Sequence, residues 1–78
     1  MKMKTDKTID CVGLYCPMPV LKVREALDTM SEGEVLEVLA DDPAAEEDIP
    51  RLVDRIGHKL IKKEKSGRVL RFIIKKQE

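Results

Sequence analysis

The chain has 78 residues, a length that predicts one domain spanning 1–78 around a thin core. Hydrophobic residues make up 42% and charged residues 38%, which excludes a disordered chain and implies a strongly solvated surface. Net charge is zero, no apolar run approaches the roughly 20 residues that span a bilayer, and residues 1–9 lack the apolar stretch of a signal peptide. A cytoplasmic location without a membrane partner is the expectation.

One Phe, one Tyr and no Trp leave the core to aliphatic side chains. Residues 5–12 read as a short strand running into a turn at Gly13, with Ile9 and Val12 as its apolar members. From Pro17 onward the period changes. Val20, Val23, Leu27 and Met30 recur at helical spacing, Leu21 and Ala26 widen the stripe, and Gly33 is the expected stop. Residues 34–41, "EVLEVLAD", predict a buried strand. A second helix follows in "DDPAAEEDIPRLVDRIG". Asp42 is a candidate cap, Pro43 suits a first helical position, and Glu46, Glu47 and Asp48 suit an N-terminal turn. Pro50 inside this stretch moves the expected start toward Asp48. Ile49, Leu52, Val53 and Ile56 form its inward face, and Gly57 closes it.

Residues 58–76 predict two strands around a turn at Ser66-Gly67. The last, "VLRFII", is almost continuously apolar and belongs at the centre of a sheet; its lysine-rich predecessor belongs near an edge. The order is β-α-β-α-β-β. The fold class is α/β in the broad sense, an α+β two-layer sandwich: a four-stranded mixed sheet with two helices on one face.

Charge is segregated. Residues 25–54 carry eleven acids and one base, while both flanks are basic, a distribution suited to docking partners by charge or simply to solvated faces.

The chemistry concentrates in "DCVGLYCPMPV", residues 10–20. Two cysteines are too few for a disulfide scaffold. With Cys16 at a helix cap, Pro17 and Pro19 fall at the first and third helical positions, where a missing N–H costs nothing. Gly13 helps turn the chain off the strand, and Leu14 anchors the loop in the core. A thiol so placed sits at the positive end of a helix dipole, which favours thiolate, the nucleophile and leaving group of sulfur exchange. Cys11, in an apolar strand, reads as a small buried hydrophobe.

These residues resemble the signature of the TusA/SirA-like sulfur-carrier family: Asp10, Gly13, Leu14, Cys16, Pro17 and Pro19, then a helix. A second stretch, Asp41-Asp42-Pro43 through Asp48-Ile49-Pro50 to Gly57-His58, is similar to the family's middle segment. The resemblance implies a β-α-β-α-β-β sandwich like the C-terminal domain of bacterial translation initiation factor three. It also implies that sulfane sulfur is carried as a transient persulfide on Cys16, with no other cofactor and no metal. By the same likeness the donor is a cysteine desulfurase or rhodanese-like protein and the recipient a downstream acceptor protein thiol. The protein would be a sulfurtransferase-type relay rather than a stand-alone turnover enzyme, a monomer when free, without stable nucleic-acid binding. Family recipients serve tRNA thiolation, molybdenum-cofactor sulfur supply and sulfur oxidation. The tRNA-thiolation members carry Glu between the prolines and often Arg before the cysteine; this chain has Met18 and Tyr15, and Cys11 is an addition.

Asp10, Gly13, Leu14, Pro17 and Pro19 are then positioning residues. Arg24, Asp41, Asp42 and Asp48 are candidates for partner docking, with capping as the competing role of Asp42, and His58 reads as structural. Three other readings compete: a thiol–disulfide switch of Cys11 and Cys16, a metal site of Cys11, Cys16 and His58, and an RNA- or protein-binding module without chemistry. The scarcity of aromatics weighs against base stacking.

Overall fold

The structure is a computed structural model and describes residues 5–77. Its elements run β1 (Lys7–Cys11), α1 (Met18–Asp28), β2 (Val35–Ala40), α2 (Ala45–Arg55), β3 (Lys59–Ser66) and β4 (Val69–Lys75). The sheet order is β1-β2-β4-β3. β1 and β2 are parallel, and β2–β4 and β3–β4 are antiparallel. The apolar last strand is therefore central and the lysine-rich strand lies at an edge, as their compositions require. No helix among the described residues is long and apolar enough to cross a membrane.

Alternation assigns the faces. Leu36, Val38 and Ala40 on β2 and Leu70, Phe72 and Ile74 on β4 point into one core with Cys11. α1 closes this core with Val23, Ala26 and Leu27, and α2 with Ala45, Ile49, Leu52 and Val53. Leu21 departs from the expected stripe and is exposed, as is Val12 beyond the end of β1. Leu21 follows the centre of the α1 stripe by one residue at its start, and that rotation carries it off the sheet.

Two boundaries differ from the sequence expectation. α1 ends at Asp28 with Thr29 as its C-cap, and Gly33 (φ +90°) lies instead in the turn before β2, where only glycine adopts that angle without strain. α2 begins before Asp48 and runs through Pro50. The turn at Asp42–Pro43 starts it early: Ala45 N–H donates to Asp42 C=O (2.9 Å), Glu46 N–H to Pro43 C=O (3.2 Å) and Asp48 N–H to Ala44 C=O (3.0 Å). The loss is then one bond, that which residue 50 would give to Glu46 C=O. Gly57 (φ +83°) follows the last turn as expected.

The sheet's other face carries a polar network across all four strands. Thr8 on β1 donates to Glu37 on β2 (3.0 Å), Arg71 on β4 pairs with Glu37 through Nε, and its Nη1 reaches Glu64 on β3 at 2.7 Å. The Arg71 guanidinium holds the Glu37 carboxyl below its ordinary pKa, against the opposing effect of burial and with help from Thr8.

What positions chemistry is the parallel pair. Cys11 is paired with Ala40, so the segments leaving β1 and β2 emerge side by side at one end of the sheet.

Two measurements test this packing. Leu36→Ala removes a fully buried side chain between the helices and the sheet and should cost about 2–5 kcal/mol, read from the urea midpoint. Because the folded Glu37 carboxyl is lowered, its contribution to stability is present above the ordinary carboxylate range and is lost as pH falls through the lowered value. Glu37→Gln should therefore lose stability at neutral pH and show a shallower acid decline than the parent in urea titrations.

Candidate functional site

The loop after β1 is built on backbone N–H groups caught by carboxylates. Asp10 Oδ1 accepts from Val12 N–H (2.9 Å), and Leu14 N–H donates to Cys11 C=O (3.1 Å). Gly13 takes φ +89°, and its N–H donates to Asp41 Oδ1 across the gap to β2 (2.9 Å). The side chain of Leu14 packs against the core. Cys16 N–H donates to Asp42 Oδ2 at 2.7 Å, while Oδ1 of the same carboxylate accepts from Ala44 N–H at 3.1 Å. Asp42 is nearly buried (9% exposed) and thus ties the cysteine loop to the start of α2.

Cys16 and Pro17 are the central residues of a turn closed by Met18 N–H donating to Tyr15 C=O (2.8 Å), and the peptide bond between them is cis. This corrects the expected cap. Pro17, not Cys16, is the N-cap of α1, with Pro19 buried at the second helical position. Cys16 stands one residue outside the helix. Met18 N–H is already used and Pro19 has none, so two of the first three helical positions offer nothing to a sulfur.

The electrostatics are corrected with it. Cys16 is exposed, and its Sγ–H donates to Asp48 Oδ2 at 3.8 Å. Partial loss of hydration around the sulfur raises the thiol pKa. The charges of Asp48 and then Asp42 raise it further, and the hydrogen bond to Asp48 acts in the same direction. Loss of hydration and the two local carboxylates act in one direction and favour thiol over thiolate.

Beside the sulfur a cleft of about 250 Å³ opens between the helices. Cys16, Pro17 and Val20 line one wall, and Asp48, Arg51, Leu52 and Arg55 the other. The spacing of 48, 51, 52 and 55 was a readable signal that these side chains share one face of α2, yet Arg51 and Arg55 were not among the residues the sequence singled out.

The remaining candidates sort themselves. Asp41 and Asp42 are spent on backbone amides; Asp42 is not the N-cap of α2, which is Ala44, but stands two residues ahead of it and accepts from its N–H. Arg24 is exposed on α1. His58 Nδ1 accepts from Gln77 N–H at 3.0 Å, a structural role. Cys11 is buried at 1% exposure, burial raises its pKa, and no disulfide joins it to Cys16. Among the described residues no three His, Cys, Asp or Glu side chains gather as a metal set.

The family model for Sulfurtransferase TusA matches residues 7–76, which takes in every element described above. This chain belongs to that family. A protein of Archaeoglobus fulgidus, named as a sulfur carrier protein, is 53% identical over 70 residues, covering 88% of this chain and 91% of its own. The crystal structure of a SirA-like protein from Desulfitobacterium hafniense superposes with a TM-score of 0.78 at 28% identity, over 92% of this chain and 99% of that one. The family assigns the chain a sulfur-carrier role.

The brace itself is testable. Asp42→Ala leaves the Cys16 and Ala44 amides without their acceptor and should cost about 1–3 kcal/mol in thermal or urea unfolding, with faster hydrogen exchange at the Cys16 amide.

Proposed function

We propose that this chain accepts sulfane sulfur as a persulfide on Cys16 and passes it to a thiol of an acceptor protein. The single observation that carries the reading is the contrast between the two cysteines: Cys16 is exposed on a loop fixed at its backbone, and Cys11 is sealed in the core. Of the two thiols, Cys16 is the one that a partner's sulfur can reach without unfolding the protein.

The cycle uses ordinary sulfur exchange. Cys16 Sγ forms a bond to the outer sulfur of a donor persulfide. The bond between the two donor sulfurs breaks, and its electron pair leaves on the donor's inner sulfur as thiolate. The proton of Sγ passes to water as the new bond forms, since the sulfur is open to solvent. An acceptor thiolate then attacks the terminal sulfur, and Cys16 departs with the electron pair of the broken S–S bond. The sulfane sulfur keeps its oxidation level throughout, so no external oxidant or reductant enters. The donor is a cysteine desulfurase or rhodanese-like protein. Asp10, Gly13, Leu14, Pro17 and Pro19 hold the turn and take no chemical part. Asp48, with Arg24 and the cleft-lining Arg51 and Arg55, presents charge to the docked partner.

Tyr15 and Met18, both exposed, give the rim of the site an apolar character where the tRNA-thiolation pattern is charged. That difference favours an acceptor outside the tRNA-thiolation relay, and cofactor sulfuration remains open to it.

Incubation with a cysteine desulfurase and cysteine, followed by intact mass spectrometry, tests the reading. The mass should rise by one sulfur atom in the parent and in Cys11→Ala, and stay unchanged in Cys16→Ser. Labelling that persists without Cys16 overturns it.

A further inference from the structure

We propose that Asp48 is a positioning residue that holds the proton on Cys16 in the free carrier, and that a partner releases the sulfur by bringing a cation against this carboxylate. The first half rests on geometry alone; the second rests on the carrier reading above.

The Sγ–H to Oδ2 contact is 3.8 Å, and Asp48 comes from α2, 32 residues away in sequence, so the fold itself sets the distance. A second carboxylate, Asp42, is locked by its hydrogen bond to the Cys16 amide at 2.7 Å and cannot swing away. A thiolate at this position faces two negative charges, and the raised thiol pKa agrees in direction.

Among the described residues, the charged groups in contact with Cys16 or lining its cleft come from two elements. Asp42 faces it from the β2–α2 turn, and Asp48, Arg51 and Arg55 stand along the cleft wall on α2. Tyr15 is its exposed titratable neighbour on the loop. Arg51 is drawn toward Glu47 at 3.7 Å, on the solvent side of α2. The arginines therefore line the cleft without cancelling the carboxylate in contact with the sulfur.

The consequence is selectivity of timing. A resting carrier with a protonated sulfur is a poor nucleophile toward small electrophiles. A docking surface with a lysine or arginine opposite Asp48 would neutralise the repulsion, and the proton would leave as the donor persulfide arrives. The partner this site fits is thus one that presents a cation beside its own reactive sulfur.

The test uses the full chain and iodoacetamide, an uncharged probe whose encounter with the protein does not depend on salt. Alkylation of Cys16 is followed by intact mass from neutral to alkaline pH, in a Cys11→Ala background. Asp48→Asn should move the alkylation midpoint to lower pH and react about threefold faster at neutral pH, the scale of a repulsion between exposed charges. Added salt, or an oligolysine peptide at low salt, should speed the parent and have a much smaller effect on Asp48→Asn. Asp48→Glu should restore the slow profile. An unchanged midpoint in Asp48→Asn overturns the proposal. Should that variant fail to fold, a parent rate indifferent to both salt and oligolysine overturns it equally. Failure of sulfur loading on Cys16 would sink the carrier reading while leaving the alkylation profile intact, so the two failures are separable.

Discussion

The structure depends on carboxylates at the end of β2 gripping the backbone that leaves β1. Asp41 holds Gly13, and Asp42 holds both Cys16 and Ala44. A short loop with a glycine and a cis proline has few ways to satisfy its own amides, and these bonds supply the missing acceptors. Because β1 and β2 are parallel and in register at Cys11 and Ala40, the acceptors arrive at the right height without any further device. The same contacts that fix the loop bring acid close to the sulfur, so placement and electrostatics cannot be tuned separately.

Much of this was legible. The alternation in "EVLEVLAD", the apolar run "VLRFII" and the helical stripes of both helices led directly to the element order and to the central and edge strands. Where the reading slipped, the cause was local. Leu21 was admitted to the α1 stripe because it neighbours Val20, and a rotation of one position put it in water. Gly33 was placed at a helix end because glycine serves there as well as in a turn. Pro50 suggested a later start for α2, but the Asp42–Pro43 turn had already nucleated the helix.

The site was legible in its parts but not in its balance. The motif named Cys16 and its scaffolding residues, and Asp41, Asp42 and Asp48 were singled out. Their target was not visible: a contact between residues 16 and 48, or 13 and 41, exists only once strands are paired. Without that pairing only the helix dipole is visible at Cys16, a weak and quickly decaying effect. The carboxylate in contact with the sulfur acts the other way, and the turn of residues 15–18 removes the sulfur from the cap position at which the dipole would act.

The sealing of Cys11 has a bearing on stoichiometry. A chain with one reachable thiol has no internal partner with which to close a ring when oxidants appear. Any disulfide it forms is therefore a mixed disulfide with another molecule or a dimer through Cys16, and the share of dimers grows with protein concentration. On the carrier reading proposed above, cargo would have one loading point per chain, so throughput would scale with the number of copies present rather than with any storage inside a single molecule.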